Sequence, residues 1–294
     1  MTGFTCNICG RANPHPEKPL SRETESCLAC GSTVRTRGLA QALSLELFGI
    51  NLAIPDFPRV KSLRGIGTSD SSQYADRLAE KFDYRNTFYH REPRLDITNP
   101  PQEELGRYDF LISSEVLEHV APPPETAFRS AFQLLKPNGV FVLTAPYSLE
   151  RSTTEHFPDL HEFGFAQLGG RVVLVNRTRD GQVQVFEDLV FHGGGGGQMV
   201  EMREFNEDGV CRMLTGAGFA DVRFYCEDYP PFGIVRAESW GLPVAARKSP
   251  FAFTLGATRD VLEQWRDLNL KFHGEMQRLD RALWFRIGRK LKLL

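Results

Sequence analysis

A chain of 294 residues, 41% hydrophobic and 24% charged, can bury the core of one large domain and carry an appendage. Its formal net charge of -2 argues against a protein whose main work is gripping nucleic acid, which needs a strongly basic face. No run approaches the roughly 18 uninterrupted apolar residues of a membrane span, and the opening MTGFTCNICG lacks the basic region and apolar run of a signal peptide. A cytoplasmic location is the default expectation.

The first pattern is Cys6-x-x-Cys9-Gly10 and Cys27-x-x-Cys30-Gly31, with 17 residues between Cys9 and Cys27. Each CxxC brings two thiolates to one metal from a single tight turn, and two such turns complete a tetrahedral zinc site. Disulfides are disfavoured without a secretory signal, and a redox CxxC needs no second copy followed by glycine. Four thiolates fill the coordination shell, so the metal is expected to be structural. The intervening RANPHPEKPLSRETES is too polar and proline-rich to form its own core, and the metal would supply much of its folding energy. Cys211 and Cys226 sit in apolar-patterned segments and read as core residues.

Arg35 to Phe48 reads as a helix with Leu39, Leu43 and Leu47 on one face, docking the cysteine module on the main domain. This gives a zinc module over residues 1–50, a linker at Pro55 and Pro58, and a main domain over 55–250. Val60 to Asp70 reads as a strand breaking into a tight turn at Gly65 and Gly67, followed by an amphipathic helix from Ser72 to Phe82. Strand, glycine turn and helix are the layout of a nucleotide-type site in an open α/β sheet. An aromatic strand follows at Thr87 to His90, and then Glu92 and Asp96. Tyr108 to Ile112 reads as a buried strand with a polar exit through Ser113, Ser114 and Glu115. A helix spans Glu125 to Leu135, with a stop at Pro137-Asn138-Gly139 and another buried strand at Val140 to Thr144.

YDFLISSEVLEHV, the helix after it and LLKPNGVFVLTAPY resemble the fourth strand, following helix and fifth strand of class I S-adenosylmethionine-dependent methyltransferases. The resemblance covers roughly residues 59 to 150 and resumes near 204 to 248. Gly65-Ile66-Gly67-Thr68-Ser69 is similar to that family's glycine-rich motif, with Arg64 replacing an acidic residue and Ser69 where a third glycine is common. It implies a doubly wound, Rossmann-like α/β sheet and S-adenosylmethionine as cofactor. It further implies cofactor contacts by Gly65, Gly67 and Ser69 at the methionine end, by Asp96 or Glu92 at the adenosine end, and by Ser114 or Glu115 beside the sulfonium. The stretch between the expected second and third strands is unusually short. Asp221 to Tyr225 and Leu242 to Ala246 fit the last two strands, which the family joins antiparallel, and a helix starts at Asn206 and stops at Gly218.

Residues 149–203 then form an insertion between the fifth strand and its helix. Within it RVVLVNRTRDGQVQVFEDLVF alternates about Asp180-Gly181 as a β-hairpin. Loops of that length are usually lids or binding surfaces, and acceptor recognition is the expectation here. The run Gly193 to Gly197 is either a hinge of this lid or a flexible connection. From Thr258 on, Trp265, Leu268, Phe272, Met276, Leu279, Leu283, Ile287, Leu291 and Leu294 make one apolar helical stripe, and the final 17 residues carry six Lys/Arg against one Asp. Such a basic amphipathic helix packs on its own protein, on a twin subunit as a homodimer, or peripherally on an anionic membrane.

Methyl transfer from a sulfonium needs an aligned acceptor and, for an alcohol, a group that takes its proton. His119, after the fourth strand, and His156 and His161, after the fifth, are the candidate bases; each has a plain alternative as a hydrogen-bonded structural histidine. Glu155 and Glu162 flank the latter pair. The reading that follows is a methyltransferase acting on a small molecule, with a sugar or nucleotide-sugar hydroxyl or carbon favoured. Two others stand beside it: an RNA methyltransferase whose Arg22, Arg35 and Arg37 contact phosphates, and a noncatalytic zinc-dependent scaffold.

Overall fold

The computed structural model describes residues 3–16, 20–194 and 197–250, together with 264, 265, 267, 268, 271, 272, 274, 275 and 278. Met1–Phe251 forms one compact unit and Ala252–Leu294 a second. In chain order the first unit runs β1 (Phe4–Thr5), β2 (Ala12–Asn13), α1 (Val34–Phe48), β3 (Val60–Thr68), α2 (Ser72–Lys81), β4 (Phe82–Thr87), β5 (Tyr108–Ser114), α3 (Glu125–Leu134) and β6 (Leu135–Thr144). It continues with β7 (Tyr147–Ser148), β8 (Thr154–Glu155), β9 (Glu162–Leu168), β10 (Arg171–Arg177), β11 (Val183–Phe186), β12 (Phe191–Gly194), β13 (Gly197–Val200) and β14 (Arg203–Asn206). Helix α4 (Glu207–Ala217), β15 (Asp221–Phe224) and β16 (Val244–Arg247) complete it.

Six strands make the central sheet in the order β15-β16-β6-β5-β3-β4. β3 to β6 are mutually parallel, and β16 runs antiparallel to both β6 and β15. This is the expected doubly wound sheet with its antiparallel end. Parallel neighbours are buried on both faces, as the side chains show: Phe110, Ile112, Val140 and Val142 point to a core shared with α1 and α2, while Leu111, Phe141 and Leu143 point to one shared with α3 and α4.

Three local expectations shift. The second strand is Phe82–Thr87, directly after α2, not Thr87 to His90; Phe82, Tyr84 and Thr87 are buried and pair beside β3. No strand lies between β4 and β5, where 88–107 is an irregular segment that buries Leu95 and Ile97. Strand β6 begins at Leu135, and Pro137 to Gly139 form a register shift within it and not a gap before it.

The glycines also have a different task from the one expected. Gly65 and Gly67 lie inside β3, and the chain turns one residue beyond the strand, at Ser69. A Cβ at Gly65 would run into the ring of Phe110, and one at Gly67 into Asp70 and the Tyr84 hydroxyl. Glycine is required here so that the next strand's aromatics can pack directly on the backbone. Beneath Gly67, Tyr74 donates to Asp70 Oδ1 at 2.8 Å and Tyr84 donates to Asp70 Oδ2, while Asn86 brackets the Asp70 backbone on both sides. Burial pushes the Asp70 carboxyl up to about 7, against the two hydroxyls and Arg35.

Helix α1 is buried on nearly every side, not along the single face of Leu39, Leu43 and Leu47: Thr36, Arg37, Gln41, Ser44 and Glu46 are buried too. Phe4, Ile8, Leu20 and Cys27 share one hydrophobic cluster with α1 and the sheet. The insertion has a small core of its own, Phe157, Leu174, Val200 and Met202. Its β10–β11 hairpin turns at Gly181 (φ 89) as expected, with β9 added on the other side of β10. Gly193 and Gly194 end β12 and Gly197 begins β13; 195 and 196 lie outside the described residues. Cys211 is half-buried and Cys226 exposed, so neither is a core residue.

In the second unit the described residues, Trp265, Leu268 and Phe272 among them, are helical. Met276, Leu279, Leu283, Ile287, Leu291 and Leu294 of the expected stripe lie outside the described residues. Among the described residues no helix is long and apolar enough to cross a membrane.

Two outcomes test this packing. Gly65→Ala should cost on the order of 1–3 kcal/mol in urea unfolding through overpacking against Phe110, and Phe110→Leu in the same chain should recover part of it. Because the Asp70 carboxyl rises from 3.8 to about 7 on folding, its contribution is complete below the lower value and is lost as pH rises through the upper one, by at most about 4 kcal/mol. Stability measured across that window should fall less steeply for Asp70→Asn than for the wild type; equal slopes would refute the assignment.

Candidate active site

The carboxyl ends of β3, β4 and β5 are where ligands sit in such sheets. Two non-glycine residues there are left-handed, Ser69 (φ 57) after β3 and Glu115 (φ 55) after β5. Each donates its backbone N–H to the neighbouring strand's end, Ser69 to Thr87 O at 2.6 Å and Glu115 to Thr144 O at 3.0 Å. Strained backbone of this kind persists where the surroundings over-determine it. After β4, Phe88 bonds Pro93 and Leu95 in a closed loop, which sets out the two acidic candidates. Glu92 is exposed and accepts from Arg94 N, whereas Asp96 is half-buried and accepts from Thr98 N and Oγ1 through one oxygen, Oδ1.

Ser114 and Glu115 are held by residues that sequence reasoning did not place here. Arg22 donates to Glu115 Oε1 at 2.7 Å and to Oε2 at 3.3 Å, and Arg35 donates to Ser114 Oγ at 2.5 Å. Ser114 Oγ also lies 2.9 Å from Thr144 Oγ1. Although burial opposes it, Arg22 and Arg35 hold the Glu115 carboxyl below the usual range. Sequence separations of 93 and 79 residues gave no signal of these pairs.

The four cysteines converge. Cys6 Sγ lies 3.7 Å from Cys30 Sγ and Cys9 Sγ 3.7 Å from Cys27 Sγ, all four sulfurs lying within 4.8 Å of one another. The two knuckles repeat one geometry: Gly10 N bonds Cys6 O and Gly31 N bonds Cys27 O, both at 2.8 Å, with both glycines left-handed. Arg37, fully buried beside them, donates to Ser32 O, Ser26 Oγ and Gly233 O, all uncharged. A buried guanidinium needs a counter-charge, and a tetrathiolate bound to a divalent metal supplies a net negative one. The cluster is suited to metal binding.

Two of the three histidines meet at one seam. His119 Nδ1 donates to Val200 O at 2.9 Å, which fixes that tautomer because a carbonyl can only accept. His156 Nε2 lies 3.1 Å from Glu201 Oε1, and its backbone N bonds Met202 O. Met202 N in turn bonds Glu118 O at 2.9 Å, so segment 200–202 of the insertion clamps the turn after β5. His161 is exposed on the insertion, its backbone N on Asn176 Oδ1, away from this seam. Glu118 is fully buried, and neither carboxylate oxygen has a hydrogen-bond partner among the described residues; the nearest approach to His119 Nε2 is 3.7 Å. Burial, and then the charges of Glu115 and Glu201, push this carboxyl well above the usual range. The last member, Arg203, is fully buried, donating to Val120 O at 2.5 Å and to Glu155 Oε1 at 2.8 Å.

A methyltransferase-domain family model matches residues 62–223. No curated protein sequence matches the chain significantly. Similar solved structures include the Burkholderia thailandensis 1,6-didemethyltoxoflavin-N1-methyltransferase bound to its substrate and S-adenosylhomocysteine, at 15% identity over 72% of this chain and 79% of that one, with a TM-score of 0.40. Another is CalS10, an amino pentose methyltransferase from Micromonospora echinaspora, at 14% identity, 74% and 93% coverage and a TM-score of 0.40. A third is the sugar N-methyltransferase KedS8 from a Streptoalloteichus species, at 14% identity, 64% and 81% coverage and a TM-score of 0.38. The family match spans more than half of the chain, over the parallel core of the sheet and α4, and the chain belongs to the class I S-adenosylmethionine-dependent methyltransferases.

Proposed function

We propose that this methyltransferase acts on a small acceptor, a sugar or nucleotide sugar, at a hydroxyl group. The observation that carries the reading is the seam at Val200–Met202, where the lid meets the turn after β5 with His119 beside the strand end. With Nδ1 committed to Val200 O, the lone pair of His119 is on Nε2, suited to take a hydroxyl proton as the acceptor attacks. Glu201 orients His156, and that pair fixes the lid segment rather than the reacting oxygen. When bound, S-adenosylmethionine supplies a methyl group on a positively charged sulfur. The donor set suits that molecule: Asp96 or Glu92 for the ribose hydroxyls, the β3 backbone at Gly65 and Gly67 with the turn at Ser69 for the methionine end, and Ser114 and Glu115 beside the sulfur. Exposed Phe163, Phe165, Val183 and Val185 give the lid apolar surface of the kind binding faces carry.

For the cysteine cluster we propose zinc. Tetrahedral bonds of about 2.3 Å place thiolates about 3.8 Å apart, against 3.7 Å for both cysteine pairs. Burial weighs against the RNA reading: Arg22 and Arg37 are buried and the Arg35 side chain is only 18% exposed, too little surface to meet a phosphate backbone.

Labelled methyl transfer from S-adenosylmethionine to a panel of sugars and nucleotide sugars tests the function. One acceptor should turn over, His119→Asn should lower its rate about 10²–10⁴-fold with cofactor affinity unchanged, and Asp96→Ala should weaken cofactor binding; transfer to RNA alone would sink the sugar assignment. Metal analysis should give one zinc per chain, and Cys9→Ser should lose both the metal and the cooperative thermal transition.

A further inference from the structure

We propose that the cysteine module forms one wall of the cofactor pocket, with Arg22 and Arg35 receiving the α-carboxylate of the cofactor's amino-acid end, so that metal and cofactor binding are coupled. This rests on the cofactor reading above. Arg22 lies in the segment between the two knuckles and Arg35 in the first turn of α1, and Arg35 N bonds Arg22 O at 3.1 Å. Gly31 of the second knuckle packs near Gln73, in the first turn of α2 after the glycine strand. Both guanidiniums therefore stand at the carboxyl end of β5, Arg22 on Glu115 and Arg35 on Ser114, and the charge of Arg35 also reaches Asp70, just past the end of β3.

Their present partners show what chemistry they await. Arg22 and Arg35 are only 9% and 18% exposed, yet both share Glu23, whose side chain is 51% exposed. A loop carboxylate bridging two nearly buried guanidiniums marks a seat for a carboxylate, which an incoming one can take while half-exposed Glu23 turns to solvent. A bidentate, charge-assisted pair binds a planar carboxylate with geometric selectivity. An amino-acid-bearing nucleoside offers that group at the methionine end, beside Gly67 and Ser69. Residues 20–26 are without helix or strand and are framed by Cys9 and Cys27. The metal therefore holds Arg22 in place, and ordering the loop by either ligand favours the other, a reciprocal coupling.

The test uses the full zinc-loaded chain, with S-adenosylhomocysteine and 5′-methylthioadenosine, which lacks the amino-acid end, as calorimetric probes. Arg35→Ala should weaken S-adenosylhomocysteine binding at least tenfold and leave 5′-methylthioadenosine within about twofold, with one metal retained. Glu23→Gln, a change at a half-exposed side chain, should tighten S-adenosylhomocysteine. S-adenosylhomocysteine should also slow metal transfer to a chromophoric chelator severalfold, and 5′-methylthioadenosine should not. Equal loss of both nucleosides in Arg35→Ala, or chelation rates indifferent to S-adenosylhomocysteine, would overturn the coupling while leaving the methyltransferase intact. Failure of the wild-type chain to bind S-adenosylhomocysteine would instead overturn the cofactor assignment, and this inference with it.

Discussion

Helix α1 has almost no side left for water, and its polar residues must find partners inside the protein. Arg37 donates through both terminal nitrogens to the second knuckle and to Gly233 and stacks over Phe4, while its Nε has no hydrogen-bond partner among the described residues. One end of the helix is thereby fixed to the cysteine module. At the other end Glu46 takes Arg247 Nε at 2.5 Å and Tyr225 at 2.6 Å, with Arg223 at 3.5 Å, from the last two strands and the residue that follows β15. Buried charges are costly to separate once paired, so these pairs specify register more than they add stability. The helix can sit in only one place, and the module and the antiparallel edge of the sheet are positioned together by it.

The consequence is felt at the turn after β5. Ser114 and Glu115 face the arginines of the module, while Glu118 and His119, three and four residues beyond Glu115, face segment 200–202 of the insertion. One short turn thus touches two parts of the chain that are otherwise separate. Arg203 reinforces the insertion's side by bonding the carbonyl of Val120 just beyond the same turn.

What the sequence disclosed follows the range of the forces involved. Knuckle geometry depends on four residues and a glycine, so CxxCG fixed it, and the β10–β11 hairpin was carried by period-two alternation about a glycine turn. The glycine strand is legible as a strand, but the close packing its glycines allow is not, because its cause is Phe110, 45 residues from Gly65, and not a local bend. NTFYH has stronger β propensity than FDYRNT, yet pairing beside Val60 and Gly65 puts the strand at the latter. Thr36, Arg37, Gln41, Ser44 and Glu46 give α1 the look of a helix with a solvent face until their partners, up to 201 residues away, are known. Nor does a sequence say that basic side chains such as Arg22 and Arg35 will point inward.

Two carboxyls three residues apart, Glu115 and Glu118, are pushed in opposite directions: against burial, Arg22 and Arg35 hold the first below the usual carboxylate range, while burial and the charge of the first push the second well above it. Divergent environments of this kind assign separate roles to chemically identical groups. A charged Glu115 beside the strand end suits a site that must hold a positively charged sulfur. Glu118 is buried with neither carboxylate oxygen hydrogen-bonded among the described residues, an expense for folding, so the two carboxyls differ by their surroundings and not by their chemistry.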